Sequence, residues 1–440
     1  MYYVKIYSME PGEIYRVEGP ARVDVVEGVV YAVGALYTSG QHFTVLRARK
    51  LAFKAVERAK ISVMLGPNAV LERAKPEEEV LDEWEQAAST IDLKGIAIVV
   101  GAIDVGKSTM TAVLANKALS RGLKVAVIDA DVGQNDIGPP TTISISRVLR
   151  PITSLRQIQA ERSIFMQSTS LEKIWPRAIE AVGKLISYAK STWSVDSVIV
   201  NTDGWISGEE AVEYKKALLT AIKPNNVIAI RIGEELDGIL SGVPGVVSVR
   251  PPPAARARSK EDRKIHREMS YARFIFPVRE ISIDLDKTPL CNIGLFRGID
   301  LAGEFKAMLS HIVNARVIYA NQIGSIVYAI TDQWLIRKLN SFRVYGLPEG
   351  FERGLLVGIE DRDGFLIGLG VLKKIYYDRK KAVVYMSART EKALPRASCI
   401  RLGLVRLNDS FEESERISQL LRYDLNIRIQ DGTMRGAGSA

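Results

Sequence analysis

Residues 101–110 read GAIDVGKSTM, after the apolar run GIAIVV (95–100) and before the helix-like KSTMTAVLANKALSRG (107–122). The spacing is G-x-x-x-x-G-K-S. A strand before it and a helix after it supply the context in which that pattern holds phosphate. Gly101 and Gly106 allow backbone turns closed to other residues. The loop amides and the helix N-terminus then face an anion. Lys107 is placed to reach β- and γ-phosphates and the Ser108 hydroxyl to bind Mg²⁺. Val105 and Thr109 complete the nucleotide-binding loop. Kinases, GTPases, motors and assembly factors all use such a loop, so the destination of the phosphate has to come from elsewhere in the chain.

Outward from the loop, strand-like and helix-like segments alternate: KVAVIDAD (124–131), LEKIWPRAIEAVGKLISYAKS (171–191), DSVIVNT (196–202), GEEAVEYKKALLTAIK (208–223) and NVIAIRI (226–232). Continuous apolar strands alternating with helices predict an α/β P-loop domain with a mostly parallel sheet covered on both faces, over 92–285. Residues 1–75 carry short apolar runs broken by Gly turns, as in ARVDVVEGVVYAVG (21–34), and predict a β-rich N-terminal domain. The acidic KPEEEVLDEWEQAAST (75–90) predicts a linker helix over 76–91. Residues 286–440 return to strand and turn, with turns at RDG (362–364) and DRK (378–380), and predict a smaller β-rich C-terminal domain.

Composition sets outer bounds. The 440 residues are 47% hydrophobic and 25% charged, which is ordinary for globular domains. No apolar stretch approaches the roughly 18 residues of a membrane span, so a cytoplasmic protein with no membrane partner is expected. Cys291 and Cys399 are too few for a disulfide framework or zinc site, and free thiols are expected. His42, His266 and His311 are scattered, which argues against a metal cage. The net charge of +9 favours a polyanionic partner.

The acidic residues sit where a P-loop needs them. Asp129 and Asp131 end one strand, two apart and on one face, at the sheet edge where such folds bind ligands. One carboxylate suits the Mg²⁺ shell and the other a proton-accepting role toward a hydroxyl. In GQNDIGPPTTI (133–143), Gln134 and Thr141 are neutral hydrogen-bonding residues suited to an acceptor hydroxyl or a phosphate. After DSVIVNT comes DGWISG (203–208), where Trp205 offers a flat face to a base, with Thr202 and Gly204 shaping the turn. Stacking of that kind is worth about 1–3 kcal/mol per base. The densest positive run is RARSKEDRKIHREMSYARF (256–274). Guanidinium groups there suit a lid over a transferring phosphoryl group, at 254–275.

GAIDVGKST, DADVGQNDIGPPTTI, NTDGWISG and RSKEDR, in this order, resemble the polynucleotide 5′-hydroxyl kinases. That family includes the RNA kinase subunit of the pre-mRNA cleavage factor and the pre-ribosomal RNA processing kinases. The resemblance implies transfer of the ATP γ-phosphate, with Mg²⁺, to the 5′-hydroxyl of RNA, and in some members of DNA. It implies that Asp104 belongs to the nucleotide loop and that Asp131 is the general base. Thr202, Gly204 and Trp205 become a clasp on the nucleic-acid end, and Arg258, Arg263 and Arg267 lid residues. It also implies that the N-terminal domain helps hold the adenine. The alternative reading is an ATP-binding assembly factor of an RNA-processing complex without kinase activity. A GTPase switch would need a guanine-reading N/T-K-x-D signature, which is not found in the expected place.

Overall fold

The structure is a computed structural model and describes residues 3–47, 49–253, 259–339, 341–424, 427–430 and 433–436. The chain divides into two compact units: residues 1–138, 143–162 and 178–260, and residues 139–142, 163–177 and 261–440.

The first unit is built on six adjacent strands of a seven-stranded sheet, which run, in spatial order, Thr142–Val148, Val125–Asp129, Ser197–Asn201, Gly95–Gly101, Asn226–Ile230 and Val246–Val249. Five of the six are parallel. Thr142–Val148 runs antiparallel to Val125–Asp129, with Asp129 opposite Ser144. The parallel strands are buried at nearly every position, as their unbroken Val/Ile runs require. The helix Lys107–Ser120 starts at Gly106, which is left-handed at φ 99°. The helix is buried over most of its surface, because further apolar structure covers the side turned from the sheet.

That further structure is the N-terminal region. Its strands form a four-stranded and a five-stranded sheet. The segment 21–34 does not fold back as a hairpin. Ala21–Glu27 lies in the four-stranded sheet and Val29–Ala32 in the five-stranded one, with Gly28 at φ 79° between them. A side chain at Gly28 would run into the Arg58 carbonyl at 2.2 Å, so the sheet change depends on glycine. One hydrophobic core runs from Val23, Phe53 and Ile61 to Val113, Leu114 and Val127. Asn116 of the P-loop helix donates to the carbonyls of Val33 and Ile152, each at 2.7 Å. The sequence pattern marks 1–75 and 92–285 as separate stretches, yet within this unit their apolar faces share one core. The acidic linker forms a short 3₁₀ turn, Pro76–Glu78, and the helix Leu81–Thr90.

The second unit holds a six-stranded and a five-stranded sheet of the C-terminal region. Leu355–Glu360, Leu366–Tyr376 and Lys381–Ser387 form successive antiparallel pairs through the turns expected at 362–364 and 378–380. Val278–Asp284 falls within the stretch read as the P-loop domain, yet it pairs with Lys381–Ser387 in this C-terminal sheet. The two cysteines are not free thiols: Cys291 and Cys399 are joined by a disulfide, with Cα atoms 5.5 Å apart. Backbone pairing explains the correction. The Cys291 amide donates to the Ile400 carbonyl at 2.8 Å, which brings together sulfurs 108 residues apart in sequence. The Glu360 carboxylate lies within 4.8 Å of both sulfurs. Since those sulfurs are bonded to each other, the trio is no metal cage.

Candidate active site

The phosphate loop lies between the end of strand Gly95–Gly101 and the start of helix Lys107–Ser120. Asp104 takes a left-handed conformation at φ 60°, which lets the loop turn back toward the helix. A Cβ on Gly101 would meet the Ile230 carbonyl at 2.7 Å, and one on Gly106 would meet the Trp84 ring at 2.8 Å. Trp84, on the linker helix, therefore backs the loop, and its indole N–H is anchored on the Arg250 carbonyl at 2.9 Å. Lys107 is buried and donates to the Ala102 carbonyl within the loop. Burial pulls its ammonium down to about 8, against the charge of Asp131, which pushes it up. Val105 and Ser108 are part-exposed and Thr109 is exposed.

Asp129 is fully buried and accepts from the Asp131 amide at 3.2 Å, the Asp136 amide at 2.7 Å and Asn201 Nδ2 at 2.9 Å. Burial, then the charges of Asp136 and Asp131, push its carboxyl up to about 8. Asn201 Nδ2 also lies 3.4 Å from the Ser108 hydroxyl, so this amide joins the acidic strand end to the P-loop serine. Asn201 Oδ1 is buried without a hydrogen-bond partner. Asp131 accepts the amides of Gly133 and Gln134 at 3.0 and 2.9 Å. Burial and then Asp203 raise its pKa, against Lys107 and those amides. The hydroxyl of Ser108 and the carboxylates of Asp129 and Asp131 form an all-oxygen donor set, the kind a hard cation such as Mg²⁺ takes. The hydrogen bonds from Asn201 to Asp129 and to the Ser108 hydroxyl place these oxygens beside one another, and their chemistry fits the ion.

Strand Ser197–Asn201 leads into the turn that carries Trp205. A Cβ on Gly204 would lie 2.8 Å from the backbone N of Ile103, so this turn rests directly on the phosphate loop. Thr202 is fully buried, and its hydroxyl donates to the Val99 carbonyl at 2.8 Å. Its side chain braces the strand end by donating its hydroxyl proton there. Trp205 is half-buried and stacks on Tyr214, with centroids 6.0 Å apart and planes at 27°. Gln134 is half-buried, and its side-chain amide donates to the Gly133 carbonyl at 2.7 Å.

Several residues here escaped the sequence reading. Asn201 lies inside the strand-like DSVIVNT, where nothing in the spacing marks its side chain. Asp203 and Lys215 form a buried ion pair at 2.7 Å. A signal for Lys215 existed, since it interrupts the apolar stripe Ala211, Leu218, Leu219, Ile222 with a charge. A small cleft of about 30 Å³ is lined by Val45, Leu46, Arg49 and Leu51 of the N-terminal region together with Ser108 and Thr109. No sequence pattern marks those N-terminal residues, because only the fold brings them beside the loop.

In the second unit, the arginine run forms the helix Lys260–Ile275. Arg258 lies outside the described residues. Arg263 is half-buried, one turn before Arg267. Arg267 does not stand ready for a phosphate. It holds Glu413 through two bonds of 2.7 Å, and Tyr271 donates to the same carboxylate at 3.1 Å. A paired, mostly buried guanidinium has its planar fork already filled. Thr141, in the same unit, is buried at φ 67° with its hydroxyl turned to the Pro140 carbonyl. It satisfies loop backbone.

Residues 101–276 match the family described as mRNA cleavage and polyadenylation factor CLP1 P-loop. A polyribonucleotide 5′-hydroxyl-kinase of Pyrococcus abyssi is 29% identical over 321 residues, covering 72% of this chain and 88% of that protein. The polyribonucleotide 5′-hydroxyl-kinase Clp1 of Xenopus tropicalis is 24% identical over 287 residues, covering 60% of this chain and 65% of its own. The solved structure of a Clp1p–Pcf11p complex superposes with a TM-score of 0.59 at 12% identity, over 92% of this chain and 98% of that one. That likeness is one of fold. With the phosphate loop, the paired aspartates and the tryptophan turn in the order the motifs required, residues 101–276 match the CLP1 P-loop family and the chain is similar over most of its length to polyribonucleotide 5′-hydroxyl-kinases.

Proposed function

We propose that this protein transfers the γ-phosphate of ATP to the 5′-hydroxyl end of RNA, with DNA as a second acceptor, in RNA processing or repair in the cytoplasm. The observation that carries the reading is the convergence of donor and acceptor elements in one unit. The Ser108 hydroxyl, Asp129 and Asn201 are joined by hydrogen bonds, and the turn bearing Trp205 rests on the phosphate loop.

In this reading the loop amides and Lys107 hold the β- and γ-phosphates. Mg²⁺, held by Ser108, Asp129 and Asp131, neutralises charge on the phosphates when bound. Trp205 stacks on the terminal base and Gln134 orients the acceptor hydroxyl. The Asp131 carboxylate accepts the proton of the 5′-hydroxyl as its oxygen bonds to the γ-phosphorus. The bond from the γ-phosphorus to the β–γ bridging oxygen breaks, and ADP carries away that electron pair. Arg258 and Arg263 are lid residues in this reading on motif resemblance alone. Positioning and charge account for the rate, with no covalent intermediate.

The test is label transfer from γ-labelled ATP to 5′-hydroxyl RNA and DNA oligomers. Lys107→Ala is expected to cut transfer by about 10²-fold or more. Asp131→Asn is expected to lower turnover by about 10²–10⁴-fold while sparing ATP binding. A nucleotide-holding assembly factor would instead retain ATP, label no oligomer and be indifferent to Asp131→Asn.

A further inference from the structure

Asp203 is the hub of a buried polar knot behind the tryptophan turn. Its Oδ1 accepts the Trp205 amide at 2.9 Å. Its Oδ2 accepts Lys215 Nζ at 2.7 Å and the Tyr214 hydroxyl at 3.1 Å. Lys215 Nζ also reaches the Asp203 backbone carbonyl at 3.2 Å. The Lys215 side chain is 1% exposed and that of Asp203 is 10% exposed. Tyr214 stacks under Trp205 while bonding to Asp203, and the Lys215 ammonium sits 4.6 Å from the Tyr214 ring centre. Burying such a pair is no economical route to stability, since an apolar pair of similar volume is often equal or better. What the knot does provide is a single backbone conformation at 203–205 and a single orientation of the Trp205 ring. The same Asp203 charge is felt at Asp131 and at Lys107. A lysine at 215 cancels that charge, where an unpaired Asp203 would oppose a polyanionic acceptor.

We propose that Lys215 and Tyr214 are positioning residues for the nucleic-acid acceptor, acting through Asp203 on Trp205. This rests on the reading of Trp205 as the acceptor clasp. Asp203 and Lys215 act on Lys107 with opposite sign, so removing both charges together leaves the donor side nearly unchanged and acts on the acceptor. Acceptor affinity falls and ATP affinity stays.

The experiment measures binding and not turnover, so it separates this inference from the kinase reading. A 12-nucleotide single-stranded RNA with a free 5′-hydroxyl and a 3′ fluorophore is titrated by anisotropy. ATP binding is titrated by calorimetry on the same preparations. Lys215→Met alone leaves Asp203 charged and buried and could unfold the protein. The double variant Asp203→Asn/Lys215→Met therefore removes both charges and keeps the volume. Tyr214→Leu removes the ring under Trp205, and Lys215→Arg keeps the charge. The double variant and Tyr214→Leu are expected to weaken RNA binding by about tenfold, with ATP affinity changed less than twofold. Lys215→Arg is expected to recover part of the loss. RNA affinity within twofold of wild type in the double variant overturns the proposal. So does a parallel loss of RNA and ATP affinity, and so does wild-type protein that does not bind the RNA. Wild type that binds the RNA but labels no end refutes the kinase reading and leaves the positioning test intact.

Discussion

Asp129 shows how far one residue can be pushed by its surroundings. Its carboxyl is buried among other carboxylates and rises to about 8 from an ordinary value near 3.8. Between those values the folded chain holds a proton that the unfolded chain has released. Stability of the ligand-free protein therefore falls as pH rises from about 4 to about 8 on account of this group. Lys107 acts in the window above it. Its folded pKa is lowered to about 8 from 10.5, so the unfolded chain binds the extra proton there and stability recovers as pH rises toward 10.5. Thermal melts of wild type and Asp129→Asn across pH 4 to 9 test the first effect. The difference in Tm between them should grow with pH in favour of the variant. Mg²⁺ with ATP should raise the wild-type Tm more at pH 8 than at pH 5. The Asp129–Asp131 pair was legible as a site because two acids after an apolar strand have no packing reason to be there. The hydrogen bond from Asn201 to Asp129 was not, since it joins residues 72 positions apart on neighbouring strands.

At the scale of elements, the helix Lys260–Ile275 separates composition from geometry. Its sequence is a run of positive charge that suits a phosphate lid. Arg267 instead closes a two-pronged bridge on Glu413, with side chains 15% and 13% exposed. The bridge ties this helix to strand Glu413–Arg416 inside the second unit. Truncating either partner leaves a desolvated charge, whereas truncating both does not. In a double-mutant cycle, Arg267→Ala and Glu413→Ala should each cost about 1–3 kcal/mol, with strong non-additivity. Urea denaturation of the four proteins checks it, and additive losses would show that the bridge is not a unit. The N-terminal segments make a parallel case. The Gly turn at 28 was legible, and so were strands on either side. That the two strands enter different sheets was not, because the alternation of buried residues is the same in a hairpin and at a sandwich corner.

For the whole molecule, charge and cross-linking matter most. The disulfide between Cys291 and Cys399 closes a loop of more than a hundred residues in the second unit. Loop-closure entropy alone gives such a link about 4–5 kcal/mol. Reduction, or Cys291→Ala, is expected to lower the Tm of the second unit, while ATP affinity, which belongs to the first, stays within about twofold. Scanning calorimetry with and without a phosphine reductant reads both. An unchanged Tm would show that the sulfurs are not bonded in solution. The net charge of +9 leads to a further expectation. Affinity for the RNA oligomer should fall steeply with salt, as counterion release requires, while ATP affinity falls less.

The order of the motifs by itself determined the central α/β sheet, the phosphate loop, the acidic strand end and the tryptophan turn. Each is a local pattern: a glycine where a Cβ cannot fit, an apolar run long enough for one buried strand, a charge with no apolar excuse. The structure alone decided how those side chains are engaged. Thr202 donates to Val99, Thr141 to its own loop, and Arg267 to Glu413. It also decided that Asn201, Asp203 and Lys215 stand behind the site, and that the N-terminal strands share a core with the P-loop helix. These are pairings between residues tens to hundreds of positions apart. Their energy depends on burial and distance, and neither is written in the spacing of a motif.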